Sequence, residues 1–356
     1  MEIYRDSFFP GPTSVPEDVL KIGLKNFGSA DIEPEFLELY YKCTDNLKLL
    51  FNTNNDVVVM SGEGMLALWS GIKSCLTKDD KVLVLSTGYF GSGFADMAKC
   101  IGCKVEKIEF PLDCSFEDYD LIEDKIRQFK PKMITAVHCE TPSGILNDLT
   151  VIGKLKAQYN IPLLCVDAVS SVGATNVDVD KHNIDICFGG SQKVLSTPPN
   201  ACFLSVSNNA WKYAQDINYQ GYDALIPFKQ APKTGNFPYT PSWINVAQLY
   251  QASKDILDEG LENVVARHKL CSKMTIDLLK KTGIKLFPKK EEYSSPTVTA
   301  AYVPEKYSWQ EFDNMLRKQG ICIGGNFWGL AGKVFRIGHM GSQAYPNNIE
   351  KLCGLL

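Results

Sequence analysis

Two stretches decide how this sequence is read: Ile161-Pro162-Leu163-Leu164-Cys165-Val166-Asp167-Ala168-Val169-Ser170-Ser171 and Ile184-Asp185-Ile186-Cys187-Phe188-Gly189-Gly190-Ser191-Gln192-Lys193. Each is a short apolar run that gives way to small and polar residues. Apolar runs of this length bounded by turn residues read as strands. Each also sets one ionisable side chain, Asp167 or Lys193, at the C-terminal end of its run.

The same rhythm extends outward. The runs at 56–60, 81–85, 104–110 and 133–137 read as further strands, and 65–76, 94–100, 121–129 and 149–159 have helical spacing. The stretch 86–93 reads as turn-rich. Strands alternating with helices predict an α/β fold, a mostly parallel central sheet flanked by helices. After about Pro241 the pattern changes: helices at 244–257 and 261–281, strands at 297–303 and 334–337, a helix at 309–319 and a last one near Pro346 predict a smaller C-terminal α+β domain.

At 356 residues the chain exceeds one ordinary core. Hydrophobic residues make up 45% and charged ones 22%, with a net charge of −4, which argues against a nucleic-acid partner. No apolar run is long enough to span a bilayer, and Met1 to Phe9 does not read as a signal peptide. The twelve cysteines are therefore expected as reduced thiols in a cytoplasmic protein. Cys100 and Cys103 have C-x-x-C spacing but lack a second close Cys or His pair, so no metal is expected.

In parallel sheets ligands bind beyond the carboxyl ends of the strands, which singles out 61–64, 86–91, 138–144, 167–171 and 189–193. A lysine at 193, held among small residues, can lose solvent and become a nucleophilic amine; it reads equally as a surface lysine. Asp167 suits a protonated pyridine nitrogen or a helix cap. Ser61-Gly62-Glu63-Gly64 joins a strand to a helix start, where free N–H groups cradle anions, provided Glu63 points away from the anion. Arg336, in Lys333-Val334-Phe335-Arg336-Ile337-Gly338, matches a carboxylate through paired hydrogen bonds, either a substrate's or that of a structural acid.

Together these segments resemble the class V, fold-type I aminotransferases that use pyridoxal 5′-phosphate (PLP), particularly the alanine–glyoxylate and serine–pyruvate type. The resemblance runs from Pro10-Gly11-Pro12-Thr13 to Phe335-Arg336-Ile337-Gly338. Its most specific pieces are Val166-Asp167-Ala168-Val169-Ser170-Ser171 and Gly190-Ser191-Gln192-Lys193 in their order and spacing. It implies Lys193 as the Schiff-base lysine and proton carrier, and Asp167 as partner of the ring nitrogen. Ser61, Gly62, Glu63, Gly64 and Gln192 are implied around the phosphate, Phe90 on the ring face, and Thr141 and Val169 beside the ring. Gly11 and Arg336 are implied at the substrate. Thr240 is implied to reach the phosphate of a neighbouring subunit, hence a homodimer with its active site at the interface. The implied domains are an arm at 1–14, a large PLP-binding domain at 15–243 and a small domain at 244–356. The implied partners are small amino acids and 2-oxo acids.

Some positions depart from the family pattern. Phe237 stands where relatives carry Tyr, and Asp31-Ile32-Glu33 replaces a His-Arg pair. The C-terminal stretches also resemble 2-aminoethylphosphonate–pyruvate aminotransferases, which usually carry Asn where this chain has Gln192. A cysteine desulfurase is a further alternative, although Cys322 reads as a strand residue. A two-lobed solute-binding protein would show a similar alternation without the Asp167 and Lys193 pair.

Overall fold

The structure, a computed structural model, describes residues 6–352. Its strands are β1 (Asp6–Phe8), β2 (Asp56–Ser61), β3 (Lys81–Ser86), β4 (Lys104–Glu109), β5 (Met133–Val137) and the short pair β6 (Cys139–Glu140) and β7 (Ile145–Leu146). They continue with β8 (Leu163–Asp167), β9 (Ile186–Gly190), β10 (Ala201–Val206), β11 (Val298–Tyr302), β12 (Ile321–Ile323) and β13 (Val334–Gly338). Seven form the central sheet in the order β2-β10-β9-β8-β5-β3-β4. All neighbours run parallel except β10, which is antiparallel to both β2 and β9.

Alternate residues of a strand face opposite sides of its sheet, and two cores result. On one face Leu83, Leu85, Ile134, Leu164, Val166 and Phe203 pack with Phe36, Leu47 and Leu249 of the helices Pro34–Phe51 and Trp243–Glu259. On the other, Val82, Val84, Leu163, Cys165 and Phe188 pack with Leu68, Phe94 and Trp211 of the helices Gly64–Cys75, Tyr89–Ile101 and Asn208–Ile217. The fold class is thus the expected α/β arrangement with helices on both faces. A separate C-terminal core joins Cys271, Leu279, Phe312, Phe335 and Ile337. Phe8 belongs to it, because β1 pairs in parallel with β12.

Two local expectations change. The stretch 86–93 is not all turn: a helix runs from Tyr89 to Ile101. Gly91 sits in its first turn because a Cβ there would lie 2.9 Å from Ser86 Cα, so the glycine permits close packing on β3. β10 and the helix Asn208–Ile217 were not anticipated. β10 is buried at every position between two partners, and the direction of such a strand leaves no trace in its apolar pattern. No helix of the described residues is long and apolar enough to cross a membrane.

Candidate active site

β8 ends on Asp167, and β9 runs through Gly190 into Ser191-Gln192-Lys193, so the two parallel strands deliver both side chains to the same sheet edge. They line one cavity of about 300 Å³ with Gly11, Glu63, Gly64, Phe90, Thr141, Val169 and Gln192. Lys193 Nζ donates to the Pro10 carbonyl at 2.6 Å. Burial, reinforced by the charge of Arg336, lowers the Lys193 pKa to about 8. Burial raises that of Asp167 to about 6 against the Val169 N–H, which donates to its Oδ1 at 2.8 Å. A turn rather than a helix follows Asp167, so the carboxylate caps no helix and has no ion pair among the described residues.

Gly64 opens a helix whose N-cap, Glu63, accepts none of the first-turn N–H groups with its side chain. A Cβ on Gly64 would come within 3.1 Å of Val169 Cγ2. Thr141 Oγ1 and Ser170 Oγ lie 2.5 Å apart at the cavity wall. Half-buried Arg336 donates from Nε to the Gly325 carbonyl at 2.8 Å and lies 5.3 Å over the Phe327 ring. No carboxylate of the described residues pairs with it, and burial lowers its pKa to about 10. The structural acid that could have claimed it is not there. Arg336 stands beside the cavity rather than in its lining, close enough to act on Lys193.

Two expected positions, Ser61 and Gly62, fall elsewhere, and Thr240, expected at a neighbouring subunit's phosphate, lies away from its own chain's cavity. Ser61 and Thr240 line a different cavity with Tyr40 and Phe237, because Ser61 ends β2 against β10. Thr240 Oγ1 donates to Asp31 Oδ2 at 2.9 Å. The Gly62 N–H is not available to a phosphate, since it donates to the Asn200 carbonyl at 3.0 Å. Glu63 does not point away from the cavity: it lines it and accepts from Gln192 Nε2 at 3.4 Å.

The sequence reading also missed Glu140. Its fully buried carboxylate accepts the N–H groups of Phe90 at 2.7 Å and Gly91 at 3.1 Å. The available signal was its place beside Thr141 in His138-Cys139-Glu140-Thr141, where a carboxylate must be paired to be buried. Cys322 is buried within β12, which leaves it no role as a loop nucleophile.

A desolvated amine, a buried acid with no cation of its own, an aromatic wall and a glycine helix start fit the ring of PLP. Fold and site together define a PLP-dependent enzyme of fold type I. Comparison with known proteins narrows the class. The profile of the family "Aminotransferase class-V" matches residues 11–331. The chain is 37% identical to an uncharacterized aminotransferase of Methanocaldococcus jannaschii, over 93% of this chain and 86% of that one. It is 32% identical to the serine–glyoxylate aminotransferase of Hyphomicrobium methylovorum, over 96% and 86%. The crystal structure of an alanine–glyoxylate aminotransferase from Nostoc sp. superposes with a TM-score of 0.93 at 26% identity, covering 100% of this chain and 95% of that one. This chain belongs to the class V aminotransferase family and is a PLP-dependent transaminase.

Proposed function

We propose that the chain moves the amino group of a small amino acid, such as alanine or serine, to a 2-oxo acid such as glyoxylate or pyruvate, in a ping-pong sequence. The observation that carries this reading is the meeting of Lys193 and Asp167 at one cavity with opposite shifts, the amine toward its neutral form and the acid toward protonation. PLP, when bound, supplies the electron sink for the bond broken at the substrate Cα. Lys193 would anchor it through Nζ and, once free, would take the Cα proton of the donor. Both tasks need a neutral amine, which burial and the Arg336 charge favour. Asp167 would hold the proton on the ring nitrogen, and an acid that must stay buried gains from that cation. Phe90 would cover one ring face, while Thr141 and Val169 would border its edge. Arg336 uses Nε on Gly325, which leaves its two terminal nitrogens for the substrate carboxylate.

The small donor is supported by the relatives, which are named for serine, alanine and glyoxylate. A homodimer belongs to the same proposal, supported by Thr240 lying away from its own chain's cavity and by Leu24 and Ile32, exposed at 85% and 79%. The division into an arm at 1–14, a large domain at 15–243 and a small one at 244–356 belongs to the same proposal; the separate core of Cys271, Leu279, Phe312, Phe335 and Ile337 supports the small domain, with the helix Trp243–Glu259 connecting it to the large domain's sheet. A cytoplasmic location is supported by the unpaired cysteines of the described residues.

The test is a donor–acceptor panel on purified holoenzyme: alanine, serine, aspartate and 2-aminoethylphosphonate against glyoxylate and pyruvate. Alanine or serine should release its oxo acid stoichiometrically with cofactor when acceptor is omitted, and turn over when it is added. Reaction with the phosphonate alone would overturn the proposal.

A further inference from the structure

The phosphate end of the cofactor site carries an acid where an anion is to bind. Glu63 is the N-cap of the helix Gly64–Cys75, yet its carboxylate bonds none of that helix's N–H groups. It turns into the cavity and takes the Gln192 amide at 3.4 Å. The other end of that amide, Oε1, is buried without a hydrogen-bond partner. The side-chain donor expected for the phosphate is therefore engaged by a carboxylate, and the Gly62 N–H is held by Asn200. Only Lys193 is cationic among the cavity's lining residues, and it is the cofactor's anchor.

Two effects oppose each other at this point. The helix start favours an anion with about half an elementary charge, through the Gly64 and Met65 N–H groups. The Glu63 carboxylate, which lines the same cavity, opposes it with a full charge in a half-buried setting where screening by water is reduced. The full charge outweighs the partial one. Its field reaches the rest of the site, since it acts on both Lys193 and Asp167.

We propose that Glu63 is a specificity-determining residue for the cofactor's phosphate end: it holds the affinity for PLP near that for pyridoxal, so that the phosphorylated cofactor is exchangeable. The inference rests on the reading that Lys193 anchors the cofactor in this cavity.

The experiment titrates apoprotein with PLP and with pyridoxal, following the visible absorbance that depends on Lys193, with Lys193→Ala as the blank. In Glu63→Gln the affinity for PLP should rise at least about tenfold while that for pyridoxal stays within about twofold. PLP affinity that is unchanged or weaker in Glu63→Gln, with both compounds still bound at Lys193, overturns the role of Glu63 alone. Absence of a Lys193-dependent band with either compound in the wild type overturns the site reading and this inference with it. Should Glu63→Gln fail to fold, the wild type decides: a preference for PLP over pyridoxal of less than about tenfold supports the proposal, and a larger one overturns it.

Discussion

Glu140 holds Phe90 by its backbone: one carboxylate oxygen accepts the Phe90 N–H at 2.7 Å, and the other accepts that of Gly91 at 3.1 Å. The pair lies at the start of the helix Tyr89–Ile101, where the macrodipole favours a negative charge. Burial nevertheless raises the Glu140 pKa to about 7. The wall assigned to the cofactor ring thus depends on a carboxylate from β6.

Replacing Glu140 by Gln keeps the shape but turns one acceptor into a donor facing another N–H. The expected cost is about 1–3 kcal/mol, read as a lower urea midpoint. The displaced Phe90 ring should also change the visible circular dichroism of the bound cofactor. An unaltered dichroism spectrum would show that Glu140 supports the fold without positioning Phe90.

Arg336→Ala should raise KM for donor and acceptor by roughly thirtyfold or more, the scale of about 2 kcal/mol for losing a buried charge contact. Arg336→Lys should not restore it, because an ammonium cannot present two parallel donors. The same loss removes a positive neighbour from Lys193. The amine is protonated below about pH 8, so the pH midpoint for PLP attachment should move upward in Arg336→Ala. Unchanged KM values together with an unshifted midpoint would remove Arg336 from the site.

Gly11 lies against the lysine itself. A Cβ there would sit 2.4 Å from Lys193 Cδ, and its φ of +103° is one that side chains rarely adopt. Gly11→Ala should therefore displace Lys193 from the Pro10 carbonyl and weaken PLP attachment by at least about tenfold. Normal visible absorbance on titration with PLP would contradict this.

His268 sets an acid limit on stability. It is fully buried, with Nδ1 against the Val264 carbonyl at 2.7 Å and Nε2 accepting from the Gly341 N–H at 3.0 Å. Burial lowers its pKa from 6.5 to about 3. The unfolded chain therefore binds the proton first as pH falls, and the stability this group confers is present above 6.5 and is lost progressively toward 3. His268→Gln should lower the urea midpoint at pH 7 yet reduce the further drop between pH 6.5 and 5. A mutant with the wild-type pH slope would assign that slope to other groups, such as His138 and His339, which burial shifts in the same direction.

Much of this was legible along the chain. The strand beginning near Lys81 and the helices near Leu121 and Leu261 appear where apolar spacing put them, within a few residues, because periodicity is a local property. Asp167 and Lys193 were identifiable as strand-end residues from the runs that precede them. The helix starting at Tyr89 was not legible. Gly88 and Gly91 read as turn residues until Glu140 and Ser86 are seen packed against them. The antiparallel run of β10 was hidden for a related reason, since it depends on partners more than a hundred residues away in β2.

The sequence by itself determined an alternating α/β chain with an amine and an acid at neighbouring strand ends, because composition and spacing encode which residues are buried and at what period. Only the tertiary structure decided that Arg336 has no acid of its own among the described residues, that Gly62 is spoken for, and that Glu63 faces the cavity. The last two are contacts between groups far apart in the chain, and the first depends on which groups the fold leaves around the guanidinium. Such pairings follow from how the layers stack, which local periodicity does not carry.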